Sequence, residues 1–428
     1  MTSHGIARTT HVRTEEQRQA DLVRIGKYRG LEDQLRERVR NGTLDTQTLD
    51  LTTRLLRANP EYYTVWNVRR RCLTACTFSA SRRGSSSSKP SPSSTAAPTG
   101  TSSCAGSSPS PLEGTRAGRG YPTSGESGKI AEADQGTGAE SAAGEGGESR
   151  DTERKDEKEA QDHDAQIITS ELAFTIPLLL EAPKCYWIWN HRSWTLQQAT
   201  ARLATPAARS IWEAELGLAG KMLAKDQRNF HAWGYRRWVV SQLEGPELGG
   251  GSMVESEFQY TTDKIHANLS NFSAWHNRTQ LLSRLLSERG ASDEERRKFL
   301  ESELELIRGA VNVGPEDQSL WYYHQFLLQN LVSRDEKESV VPNLGTAERV
   351  SYIRTEIEEI KDLLEDYDDI KWIYQTLVGC TLAVAKVDGR ELNEEEKEEM
   401  RVWLEKLKEL DPMRKGRWDD EERRYGLV

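Results

Sequence analysis

Cysteine is scarce in this 428-residue chain: five thiols, an odd number, mostly scattered. Such a set makes no disulfide framework and points to a reducing compartment, the cytoplasm. Long apolar runs are missing too. The longest lies near Ile176–Leu180, far short of the eighteen residues a membrane span needs. The first twenty residues are polar and charged, without the apolar segment of a secretory signal. Basic charge is in deficit: 58 Lys and Arg against 68 Asp and Glu give a net charge of −10, which argues against a nucleic-acid-binding face. Strand-like alternation between hairpin turns is absent as well. What remains is helix. Apolar residues recur at steps of three and four in Leu44–Leu56, Ile211–Leu223, Phe299–Val311 and Ile353–Leu364.

Residues 79–165 break this pattern. They are rich in Ser, Gly, Pro, Ala and Thr and end in a charged run, and between Ser81 and Arg150 the only large apolar or aromatic residues are Leu112, Tyr121 and Ile130. That composition cannot offset its ordering entropy, so the segment is expected to be a disordered insertion or an error of the gene model. The expected organisation is a leading segment and helix over 1–40, a first repeat over 41–78, the insertion over 79–165, further repeats over 166–385, and a capping helix and tail over 386–428.

Five tryptophans share one context: Tyr63-Thr-Val-Trp66-Asn-Val-Arg69, Tyr186-Trp-Ile-Trp189-Asn-His-Arg192, Phe230-His-Ala-Trp233-Gly-Tyr-Arg236, Phe272-Ser-Ala-Trp275-His-Asn-Arg278 and Ser319-Leu-Trp321-Tyr-Tyr-His324. Eighteen residues before four of them stands an acidic–apolar pair: Glu171-Leu172, Glu215-Leu216, Glu257-Phe258 and Glu303-Leu304. Pro60, Pro183 and Pro315 fall between, where a first helix must stop and a second can start. Each unit is therefore a helical hairpin, and hairpins must stack to bury their apolar faces. The tryptophan fills the groove to the next hairpin, and the aromatic residue three positions earlier lies on the same helical side. The arginine three positions later is placed to anchor to a first-helix acidic residue. Trp372 is expected to open a degenerate sixth unit, and Leu392–Leu410 to cap the array. Gly249–Gly251 is a loop, because no Lys-Ser/Thr follows it. The acidic run Glu394–Glu399 reads as a solvated helix face.

These Trp-x-x-Arg units resemble the α subunits of protein prenyltransferases. Asn59-Pro-Glu-Tyr-Tyr-Thr-Val-Trp-Asn-Val-Arg-Arg70, Asp226-Gln-Arg-Asn-Phe-His-Ala-Trp-Gly-Tyr-Arg-Arg237 and Asp317-Gln-Ser-Leu-Trp-Tyr-Tyr-His324 are most similar to the Rab geranylgeranyltransferase (type II) branch, as are His4-Gly5 and Thr14-Glu-Glu-Gln17. Phe230 favours that branch over the farnesyltransferase type. The resemblance implies an all-α, right-handed α–α superhelix: a crescent solenoid of hairpins, comparable to tetratricopeptide arrays, in the compact fungal form. It also implies an obligate β-subunit partner that carries zinc, with geranylgeranyl diphosphate as substrate and Rab GTPases, delivered by a Rab escort protein, as acceptors.

By the same resemblance Lys184, Tyr186 and His231 are the catalytic candidates, and Lys184, Asn229 and His231 lie near the diphosphate. Trp66, Trp189, Trp233, Trp275 and Trp321 are expected to be repeat core. No metal site is expected on this chain: Cys72 and Cys76, with Cys104, Cys185 and Cys380, lack the spacing of a zinc set. A lone His4 is weak evidence for a metal. Two alternatives remain open at this point. One is the α subunit of farnesyltransferase and geranylgeranyltransferase type I. The other is a helical-repeat scaffold without catalysis.

Overall fold

The computed structural model describes residues 14–79, 147–335 and 339–427. All regular structure among these residues is helical. Helix α1 (Glu15–Arg40) leads, opened by a capping box between Thr14 and Gln17. Six hairpins follow: α2 (Thr46–Ala58) with α3 (Tyr63–Cys72), α4 (Gly147–Glu181) with α5 (Tyr186–Arg202), and α6 (Thr205–Lys225) with α7 (Phe230–Leu243). The fourth pairs α8 (Val254–Ala267) with α9 (Phe272–Thr279), extended by α10 (Leu282–Glu288). The last two pair α11 (Asp293–Val313) with α12 (Gln318–Val332), and α13 (Thr346–Asp362) with α14 (Lys371–Asp388). Helices α15 (Glu394–Leu410) and α16 (Lys415–Arg424) close the chain.

Residues 80–146 of the segment expected to be disordered lie outside the described residues, as do residues 1–13 with His4. The end of that segment is a correction. Residues 147–165 belong to helix α4, and the compact unit that holds the repeats resumes at Ala160. The charged run is built of good helix formers with opposite charges three and four apart, so a helix anchored at its buried end propagates back through it at little cost. The anchor is Asp164, which is 4% exposed. It accepts from the Ser79 backbone N–H at 2.8 Å and pairs with Arg202 at 3.3 Å.

The five repeat tryptophans are buried, between 1% and 4% exposed. Each indole also donates its N–H to the carbonyl six residues earlier, in the turn between its two helices. Trp66 reaches Pro60 at 2.8 Å, Trp189 reaches Pro183 at 2.9 Å and Trp233 reaches Gln227 at 2.8 Å. Trp275 reaches Leu269 at 2.7 Å and Trp321 reaches Pro315 at 2.6 Å. The prolines thus sit in the turn, three residues before the second helix begins, and leave their carbonyls free to accept.

This bond identifies the sixth unit differently from the sequence. Trp372 is only half-buried, whereas Tyr374 donates its hydroxyl to the Asp368 carbonyl, again six residues back, at 2.8 Å. Tyr374 also lies eighteen residues after buried Glu356, so it takes the tryptophan's place.

The anchoring arginines reach forward to the next hairpin. Arg69 bonds Glu171, Arg192 bonds Glu215, Arg236 bonds Glu257 and Arg278 bonds Glu303, each through two guanidinium nitrogens and both carboxylate oxygens. All eight side chains are nearly fully buried. Where His324 replaces the arginine, it bonds Glu356 at 2.8 Å, and Arg308 of the first helix supplies the guanidinium at 2.5 Å.

Candidate functional site

The turns that join the helices of each unit stack on one another. Cys185, just before α5, donates its thiol to the Pro60 carbonyl at 3.4 Å, and Asn229, just before α7, donates its amide to the Pro183 carbonyl at 3.2 Å. The candidate residues sit on two adjacent turns of this column. Lys184 precedes α5; its side chain is 75% exposed, and its ammonium lies 3.8 Å from the Asp226 carboxylate, beyond hydrogen-bond distance. Tyr186 and Phe230 are the first residues of α5 and α7, and His231 is the second residue of α7. The Tyr186 and His231 rings approach edge to face, with centroids 6.3 Å apart. Lys184, Tyr186 and His231 are therefore on neighbouring helix starts, with an accessible cation and the positive ends of two helix dipoles. That arrangement suits an anion.

Asn229 has structural partners of its own. It is 2% exposed, its Oδ1 caps α7 by accepting from Ala232 N–H at 3.1 Å, and its amide is spent on Pro183. Its side chain holds the two turns together.

The aromatic residues three positions before four of the tryptophans are a second correction. Tyr63, Tyr186, Phe230 and Phe272 are 53%, 54%, 77% and 45% exposed, not packed with the indoles. At the first position of a helix the side chain clears the preceding turn, and the neighbouring hairpin covers it only in part. Rings nevertheless meet along this edge: Tyr63 with Trp187 at 5.2 Å, Phe272 with Tyr322 at 6.0 Å, and Tyr322 with Trp372 at 6.1 Å. The row of exposed rings gave no separate signal in the sequence beyond the aromatic residue at the same place in successive units.

Among the described residues no cluster of three His, Cys, Asp or Glu side chains could hold a metal ion. Cys72, Cys185 and Cys380 are buried thiols, and burial pushes Cys72 up to about 11. Cys104 lies outside the described residues. No described helix is long and apolar enough to cross a membrane.

Comparison with known proteins agrees with the repeat architecture. The protein prenyltransferase alpha subunit repeat matches residues 45–76, 168–199, 212–243, 254–285 and 300–331, which are the first five hairpins. The geranylgeranyl transferase type-2 subunit alpha of Saccharomyces cerevisiae is 33% identical over 251 residues, covering 58% of this chain and 71% of the relative. The chain belongs to the type-2 geranylgeranyltransferase α-subunit family. The family member of Candida albicans is 26% identical over 98% of the chain and 97% of its own length. The human member is 37% identical over 38% of the chain and 27% of its own length. The sixth hairpin, which the repeat does not match, keeps its phase through Glu356 and Tyr374.

Proposed function

We propose that the chain is the α subunit of a heterodimer that moves geranylgeranyl groups from geranylgeranyl diphosphate to C-terminal cysteines of Rab GTPases. A Rab escort protein presents the acceptor, and the chain is active in the cytoplasm only together with its β subunit. Membership of the type-2 family supports the subunit and the branch. One observation supports a share in the chemistry: the exposed Lys184, its ammonium 3.8 Å from Asp226, precedes the helix start whose Tyr186 meets the His231 ring.

The acceptor sulfur attacks C1 of the isoprenoid, the C1–O bond breaks, and diphosphate leaves with the electron pair. Zinc held by the β subunit would supply the thiolate at neutral pH. Charge growing on the departing diphosphate oxygens is where donors lower the barrier, because they bind the transition state more strongly than the ground state. Lys184 and His231 offer such donors from adjacent turns, and Tyr186 orients the imidazole through its ring edge.

With the reconstituted heterodimer, Lys184→Ala is expected to slow single-turnover transfer while dimerisation with β is kept. An unchanged rate would remove Lys184 from the mechanism. A Rab–escort complex is expected to be the preferred acceptor over a CaaX peptide. The opposite preference would favour the α subunit shared by farnesyltransferase and geranylgeranyltransferase type I, and a chain that stays monomeric beside β would favour the scaffold.

A further inference from the structure

The arginines of the stack fall into two sets. Those three residues after the tryptophans are neutralised by a glutamate of the next hairpin. Arg70 and Arg237, one residue further on, are not: among the described residues neither meets a carboxylate. Each is held by an amide instead. Arg70 Nη2 donates to Asn190 Oδ1 at 2.6 Å and Arg237 Nη1 donates to Asn277 Oδ1 at 3.0 Å. An amide oxygen orients a guanidinium without cancelling its charge. Partial burial holds Arg70 below the ordinary arginine range, so its surroundings favour an added anion.

Both residues share one phase of the repeat. Arg70 lies seven residues after Tyr63 and Arg237 seven after Phe230, which is two helical turns along the side that carries the exposed rings. The two arginines stand on α3 and α7, with α5 between them. Neighbouring helices pack about 8–10 Å apart, so the two charges are separated by roughly 20 Å. One diphosphate cannot span that distance. A folded protein surface can, and exposed rings beside fixed guanidinium groups are the composition of binding hot spots.

We propose that Arg70 and Arg237 are docking points for two carboxylates of the partner chain, seated along the exposed aromatic edge of the second helices. The inference rests on the heterodimer reading and adds the chemistry of the contact. The partner presents acidic side chains at matching separation, and each guanidinium keeps free N–H groups for a bidentate grip.

The test compares the full-length chain with R237Q, R70Q and the double variant, each titrated with purified β subunit by calorimetry at low and high salt, with melting curves of the free chains as control. Arg237 is exposed, so R237Q tests the contact even if R70Q loosens the fold. The expected result is a dissociation constant raised at least tenfold by R237Q, a shallower salt dependence, and an unchanged melting temperature for the free R237Q chain. Wild-type affinity in both R237Q and the double variant would overturn the inference while leaving the heterodimer intact. Unchanged β affinity with a raised KM for geranylgeranyl diphosphate would also overturn it, by assigning the cations to the substrate. Failure of the wild-type chain to bind β would overturn the heterodimer reading itself, and this inference with it.

Discussion

Arg69 in the first hairpin grips Glu171 in the second across 102 residues of sequence, with bonds of 2.7 and 2.6 Å between groups that are both nearly fully buried. The Glu171 carboxylate also takes a bond from His191 at 3.0 Å, and the guanidinium lies over the Phe174 ring at 4.2 Å. Removing one member leaves the others buried and unpaired. Glu171→Ala is expected to cost about 3–5 kcal/mol. The double variant Arg69→Met/Glu171→Leu should cost clearly less, because an apolar pair carries no stranded charge. Denaturant melts of the single and double variants check this; equal losses would mean that the ion pair as such stabilises the stack.

The same cluster sets an acid limit. Arg70 can only donate, so at 3.5 Å from its Nε the Nδ1 of His191 is the acceptor, the Nε2–H points to Glu171, and the ring is neutral. Burial, outweighing the pull of Glu171, brings His191 from 6.5 down to about 4. Above pH 6.5 the ring is neutral in both states and stability does not change. As pH falls from about 6.5 towards 4, the unfolded chain binds a proton that the folded chain refuses, and stability drops. Glu171 adds a second loss lower down. Burial opposes its ionisation, but the His191 bond and the Arg69 charge win and bring it to about 2, so its contribution vanishes as pH falls from 4.5 to 2. His191→Gln should flatten the upper phase of the melting temperature against pH. His276, also held down by burial and by Arg237, keeps the remainder. An upper phase unchanged in the variant would place its origin elsewhere.

The ends of the inserted segment are already joined. Ser79 Oγ lies 3.3 Å from the Ala160 carbonyl, and Arg202 bonds the Ser79 carbonyl at 3.2 Å while stacking on Phe78 at 4.3 Å. Replacing residues 80–159 with a short Gly-Ser linker therefore demands no movement of the hairpins, and loop closure gains slightly from the shortening. The shortened chain is expected to melt within a few degrees of the parent and to bind β equally well. A large drop in melting temperature would show that the segment supports the stack.

How much of this could be read from the residues follows from how local each signal is. The tryptophan, the glutamate eighteen residues before it and the arginine three after it all repeat in phase, and all three proved buried. The direction of the arginine is a tertiary fact: periodicity places it on a helix face, but cannot say that it pairs with the next hairpin. Tyr374 escaped because an indole search finds Trp372, two residues early, although the eighteen-residue spacing from Glu356 marks the correct position. Arg308, which replaces the missing arginine beside His324, comes from the other helix of its hairpin, where no motif announces it. At the candidate site the sequence locates Lys184, Tyr186 and His231 on adjacent turns. It could not reveal that Asn229 also ties the two turns together, since a cap residue and a ligand have the same side chain.

Gly220 stands where two other units carry a threonine; in the second hairpin the place is Ile176, and Arg192 bonds Thr175 instead. Arg69 and Arg278 each donate Nη1 to a threonine sixteen residues earlier, Thr53 at 2.8 Å and Thr262 at 2.7 Å. The same position before Arg236 is Gly220, and Arg236 makes no such bond. The Tyr260 hydroxyl nearby is buried without a partner. A Cβ on Gly220 would lie 3.8 Å from Arg236 Nη1 and 4.0 Å from the Tyr260 hydroxyl, ordinary contact distances inside helix α6. Gly220→Ala should then stabilise the chain by about 1 kcal/mol through helix propensity alone. Gly220→Ser adds a hydroxyl within reach of both groups. Its lower propensity is offset by a hydrogen bond to a charged donor, worth about 1.5–3 kcal/mol. The serine variant is expected to melt above the alanine variant. If it melts below, the hydroxyl does not reach Arg236.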